Sequence, residues 1–206
     1  MYVIGLAGGV GSGKTEVARC LKEQYGAELL LTDELGHLVM EKGQDGYDRV
    51  IERFGEEILD GEEQIDRERL AQVIFEEEQA REDLEQIIHP AVHRYIRKFL
   101  GEHRDQEELV VLESALFFES GCDAYCQEVW YVYVPKKIRI ARLMQGRGYT
   151  REKCEAVIAS QMGQRELLSH CQKVLLNDRG MSEIPVQIRS LIGPCRTKAA
   201  DGPARD

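Results

Sequence analysis

The chain predicts an α/β fold built on a five-stranded parallel sheet flanked by helices, and three observations carry that prediction. Short apolar runs recur along the 206 residues, stretches with helical period separate them, and the runs are apolar throughout instead of alternating. A strand with one face in water alternates apolar with polar residues, whereas a strand covered by helices on both faces does not. Parallel strands need a crossover between them, so strand and helix in alternation lead to a doubly wound sheet.

The elements follow in order. Tyr2-Val3-Ile4-Gly5-Leu6 reads as a buried strand, and Gly8-Gly9-Val10-Gly11-Ser12-Gly13-Lys14-Thr15 comes directly after it. A helix is expected from Glu16 to Tyr25, with Val17, Ala18 and Leu21 on one face, and then a second strand, Glu28-Leu29-Leu30-Leu31, ending at Thr32-Asp33. From Glu34 to Arg104 the chain is rich in Glu and Arg with helical periodicity, which suggests a helical lobe over about residues 41–104. Leu109-Val110-Val111-Leu112 is the third strand, closed by Glu113, and Val129 to Val134 is the fourth, stopped by Pro135. Lys136 to Gln145 reads as helix, Gly146 to Thr150 as an exposed turn, Arg151 to Leu168 as one helix, and Lys173-Val174-Leu175-Leu176 as the fifth strand. Residues 1–193 then form a single domain, with a short lid at about 139–150. The tail, 194–206, is Gly, Pro, Ala and charge without period and is expected to be disordered.

Residues 8–15 fit G-x-x-x-x-G-K-[ST], and the strand before and helix after them are the context that this phosphate-binding loop requires. Glycines let the chain wrap around phosphate oxygens so that backbone N–H groups and a helix N-terminus point at the anion. Gly8, Gly9, Val10, Gly11, Ser12, Gly13, Lys14, Thr15 and Glu16 are the expected nucleotide-binding residues. Lys14 supplies a mobile positive charge, and the Thr15 hydroxyl suits Mg²⁺ bridging two phosphates. The fold class sharpens to a P-loop NTPase. The loop alone does not say which nucleotide.

Chemistry in such sheets sits beyond the carboxyl ends of the strands, where two acids stand: Asp33 after the second and Glu113 at the end of the third. A carboxylate facing the loop can take the proton of an attacking hydroxyl or help hold Mg²⁺. The plainer alternative for Asp33 is a helix N-cap, and one residue can do both jobs. Arg139, Arg142 and Arg147 flank the glycine-rich turn and suit a lid that excludes water and neutralises the transferring group, the plainer alternative being solvated helix-surface arginines.

Composition narrows the class. A net charge of −10 argues against nucleic acid as a partner, and no run approaches 18 apolar residues, so neither a membrane span nor secretion is indicated and the cytoplasm is expected. The six cysteines form no C-x-x-C pair, so reduced, small buried thiols are expected over metal ligands.

Beyond the loop, several short segments occur in a specific order: Thr32-Asp33 with His37, Phe54-Gly55, Ile58-Leu59-Asp60, Ile65-Asp66-Arg67, His89-Pro90, Glu113 to Glu119, Arg142-Leu143, Gln161-Met162 and Asn177-Asp178. In that order and spacing, from about Tyr2 to Ile192, the chain resembles the dephospho-CoA kinases, which phosphorylate the 3′-hydroxyl of dephospho-CoA with ATP. The resemblance implies ATP and dephospho-CoA as substrates, Mg²⁺ as cofactor, and a monomer or weak homo-oligomer. It implies that Lys14 and Thr15 bind phosphates and Mg²⁺, that Asp33 is the base, and that Arg142 stabilises the transferring phosphoryl group. Asp33, His89, Glu113 and Arg147 would contact the acceptor, with the helical lobe covering it. Without the resemblance, His89 reads as a structural histidine before a helix-breaking proline. The chain departs from many members in having Leu31-Thr32-Asp33 for Asp-Ala-Asp, Gly146 for a lid arginine and Ala115 for a proline. A nucleoside monophosphate kinase or other small-metabolite kinase would share the loop, lid and acid. A GTP-binding switch would share the loop and D-x-x-G at Asp33 to Gly36, but the chain has no Asn-Lys-x-Asp.

Overall fold

The computed structural model describes residues 1–106 and 108–193, so the expected tail at 194–206, with Cys195, lies outside the described residues. The described residues divide into two compact units, residues 1–31 with 105–193 and residues 32–104.

The first unit holds the sheet: β1 (Tyr2–Ala7), β2 (Glu28–Leu31), β3 (Leu109–Glu113), β4 (Glu128–Tyr133) and β5 (Lys173–Leu176). All pairings are parallel in the order β2-β3-β1-β4-β5, so the strand that carries the loop is central. Continuous apolar runs follow from that geometry: Ile4, Leu6, Val111, Trp130, Val132 and Leu175 are fully buried. Their partners on one side are Val17, Ala18 and Leu21 of α1 (Lys14–Tyr25) and Ile184, Ile188 and Ile192 of a C-terminal helix, Ile184–Ile192.

Where β1 is buried by neighbours, β5 is an edge. The Leu176 N–H donates to Gln187 Oε1 at 2.8 Å and the Gln187 NH₂ donates back to the Leu176 carbonyl at 2.8 Å. A side-chain amide on the C-terminal helix thus occupies the outward backbone groups of one edge residue.

The second unit, residues 32–104, is helical: α2 (Thr32–Leu38), α3 (Tyr47–Phe54), α4 (Arg67–Glu76) and α5 (Glu78–Glu102). Val50, Phe54, Ile58, Leu70 and Ala80 form its core, with Ile87 and Ile88 against them. Asp66 caps α4 by accepting from the Glu68 and Arg69 N–H groups at 2.9 and 3.2 Å. Pro90 does not break α5, contrary to the expectation at His89-Pro90. It removes one N–H donor from a 25-residue helix whose following residues Ala91, Val92 and Ile96 are buried, and that packing holds the helix across the gap.

Three sequence expectations in the first unit change. The first helix starts at Lys14 instead of Glu16. The helix after β4, α6, is Lys136–Arg147 and stops at Gly148 in the left-handed region, so Gly146 and Arg147 are helical and not part of a turn. The helix expected from Arg151 to Leu168 is two, α7 (Arg151–Ala159) and α8 (Gln164–His170), with Gly163 extended between them; the C-terminal helix Ile184–Ile192 is α9.

Candidate active site

The loop leaves the carboxyl end of the central strand, and its end is fixed by backbone geometry. Gly13 is left-handed (φ 82°), a conformation that costs a residue with Cβ about 1 kcal/mol or more, and it lets the chain turn directly into α1. No side chain caps α1, so the N–H groups of its first turn, beginning at Lys14, stay open to an anion. Ser12 Oγ is buried and has no hydrogen-bond partner among the described residues.

Lys14 and Thr15 meet Glu113 from β3. The buried Lys14 ammonium donates to the Gly8 carbonyl at 3.0 Å and lies 3.5 Å from Glu113 Oε1, while the Thr15 hydroxyl donates to Glu113 Oε2 at 3.2 Å. Register explains the meeting: Leu6 of β1 pairs with Glu113, placing the carboxylate beside the start of the loop. An ammonium, a hydroxyl and a carboxylate in one cluster can handle phosphate charge and offer oxygen donors to a hard cation.

The arginines divide. Arg139, whose plainer reading is a solvated helix-surface arginine, is buried (5% exposed): Nε donates to the Val10 carbonyl at 2.8 Å and Nη2 to Gln161 Oε1 at 3.1 Å. Burial pulls its guanidinium below the usual arginine range, and it remains charged. A Cβ on Gly9 would lie 2.1 Å from Arg139 Nη2, so this glycine is needed for close approach of an arginine. Arg142 donates from Nη2 to the Asn177 carbonyl at 2.8 Å and from Nη1 to the Gly11 carbonyl at 3.5 Å. Arg147, at the end of α6, is exposed, with no hydrogen bond or ion pair to another described residue.

Two residues escaped assignment from sequence. Asn177 is buried just past β5, and its NH₂ donates to the Ser12 carbonyl at 2.9 Å. Gln161, between α7 and α8, accepts the Val10 N–H at 2.8 Å. Both stand in ordered motif segments, but their reach to the loop is a tertiary fact without a local signature. Gln161 also lines a cleft with Gly8, Gly9, Phe117, Glu119 and Met162.

In the second unit, Asp33 is the second residue of α2 and is exposed, so it sits in the first turn instead of capping it. His89 is exposed on α5. Among the described residues no group of three or more His, Cys, Asp and Glu could hold a metal, and no helix is long and apolar enough to cross a membrane.

Comparison with known proteins gives consistent matches. The dephospho-CoA kinase family model matches residues 2–183. Dephospho-CoA kinase of Geobacillus kaustophilus is 34% identical over 193 residues, covering 92% of this chain and 94% of that protein. Among solved structures, TT1252 of Thermus thermophilus superposes with TM-score 0.72 at 29% identity, covering 93% of this chain and 95% of that one. Dephospho-CoA kinase from Campylobacter jejuni has TM-score 0.71 at 21% identity, covers 95% and 97%, and bears on the fold.

Proposed function

This chain belongs to the dephospho-CoA kinase family and carries out the final step of coenzyme A synthesis with ATP, and within that activity we propose how its residues divide the work. The observation that supports the division is the cluster of Lys14, Thr15 and Glu113 at an uncapped α1 N-terminus.

Residues 8–16 hold the ATP phosphates: open amide N–H groups at the start of α1 donate to phosphate oxygens, and Lys14 moves from Glu113 onto them. Thr15 Oγ1 and the Glu113 carboxylate are oxygen ligands 3.2 Å apart that would hold Mg²⁺. When bound, Mg²⁺ neutralises charge across the phosphates. Asp33 accepts the proton of the ribose 3′-hydroxyl as that oxygen attacks the γ-phosphorus in line, and ADP leaves without a phosphoenzyme. Arg142, fixed by Asn177 and Gly11, directs positive charge at the transferring group. Arg147 and His89, both exposed, contact dephospho-CoA.

The test is ADP release from MgATP with dephospho-CoA, nucleoside monophosphates or no acceptor, product mass being read in parallel. Asp33→Asn is expected to keep MgATP affinity while lowering kcat by about 10²- to 10⁴-fold, the range for a lost general base. Near-normal turnover in Asp33→Asn sinks the base assignment, and activity with monophosphates alone sinks the acceptor.

A further inference from the structure

Gln161 makes an unusual pair of contacts for a residue in a break between helices. Its single carbonyl oxygen accepts both the Val10 N–H at 2.8 Å and Arg139 Nη2 at 3.1 Å. Both partners are donors, so chemistry fixes the amide orientation: the NH₂ could satisfy neither. That places the NH₂ on the other side, where no described residue offers it an acceptor. Gln161 nevertheless lines the cleft that opens at Gly8 and Gly9.

The lining tells which substrate enters. Of the loop residues given to the ATP phosphates, those with open amides stand at the α1 end, whereas the cleft opens at the other end, at Gly8 and Gly9. Apolar Phe117, Met162 and Leu167 share it with the exposed carboxylate of Glu119. A carboxylate there repels a triphosphate and suits hydroxyl-bearing groups beside an apolar surface. We infer that Gln161 binds the acceptor and couples it to the loop: its NH₂ donates to an acceptor oxygen in the cleft while its carbonyl oxygen holds Val10 and Arg139. The inference rests on the dephospho-CoA kinase reading, which names the acceptor. One side chain then touches both substrate sites, and an acceptor that orders Gln161 orders the loop. By linkage, each substrate tightens the other by the same factor.

Gln161→Glu separates the two functions, because it keeps oxygen acceptors for Val10 and Arg139 and deletes the donor. The expected result is an acceptor KM raised about 10-fold or more, the effect of one lost hydrogen bond worth about 1.4 kcal/mol, and a smaller rise in MgATP Kd, because the new carboxylate is paired with the Arg139 guanidinium. Gln161→Leu loses both functions, so MgATP Kd rises too and the mutual tightening factor falls to about one. An unchanged acceptor KM in Gln161→Glu overturns the inference, as does a rise confined to the ATP KM, which would give the cleft to the nucleotide. Unchanged MgATP affinity in Gln161→Leu overturns the coupling. If the variants melt early, the wild-type protein answers alone: the Gln161 side-chain NH₂ resonances shift on adding dephospho-CoA without nucleotide, and resonances that stay in place on that addition refute the assignment. Wild-type turnover of dephospho-CoA is the control that separates failure of this inference from failure of the family reading.

Discussion

Gly9→Ala tests whether the second loop glycine serves an arginine. The added Cβ lands 2.1 Å from Arg139 Nη2 and 2.4 Å from Cζ, so the guanidinium must move. Its two hydrogen bonds, Nε to Val10 and Nη2 to Gln161, go with it. Bonds from a charged donor are worth about 1.5–3 kcal/mol each, so the substitution should cost about 3 kcal/mol or more. In a chain of this size that lowers Tm by about 6–12 °C. Arg139→Ala forfeits the same bonds and should cost about as much. The double variant decides: the three atoms nearest the Cβ all belong to Arg139, so with the arginine gone Gly9→Ala adds little and the two changes couple by about 3 kcal/mol. Urea unfolding of the four proteins at constant m-value measures the cycle. Additivity within about 0.5 kcal/mol refutes the explanation and returns Gly9 to a role independent of Arg139.

Asn177→Leu should leave the Ser12 carbonyl buried without its donor, costing about 1–3 kcal/mol, while Arg142 keeps its bond to the residue 177 backbone; an unchanged thermal melt contradicts this. Burial pushes the Cys126 and Cys171 thiols up to about 12, so at pH 8 their thiolate fraction is about 10⁻⁴ against about 0.2 for a free thiol, and iodoacetamide should label them about 10³-fold more slowly in the folded protein than in urea. Because the folded values exceed the unfolded ones, the stability contribution is whole below about pH 8.5 and declines towards pH 12, so the melting temperature should fall between pH 8.5 and 10, less steeply in Cys126→Ala/Cys171→Ala.

The sheet and the loop were legible in the sequence because their causes are local. Strands sheltered on both faces must be largely apolar, as β3 is up to Glu113 and β4 is after Glu128, and a loop that receives phosphate on its backbone needs glycines at fixed spacing. Glu113 was legible for the same reason, as the polar residue that ends an apolar run. What periodicity misread was decided at a distance. Residues 151–168 carry helical period, but Gln161 is drawn to Val10, 151 positions earlier, and the chain is extended at Gly163 before α8 begins. Arg139 looks like a surface arginine on α6 until the glycine opposite it is seen. Pro90 follows the local rule for a helix stop, and burial of Ala91 and Ile96 outweighs it. Asn177 has no local mark, since its partner, Ser12, lies 165 positions away.

The Gln187 amide has a consequence for how the molecule behaves in a crowd. An open parallel edge is a template on which another chain can extend the sheet, and β5 presents Val174 and Leu176 beside such an edge. With its carbonyl and amino groups paired to Leu176, Gln187 imitates one residue of a sixth strand and then ends. A stranger arriving at that position finds no free donor or acceptor, and the sheet is finished by a side chain that cannot be continued.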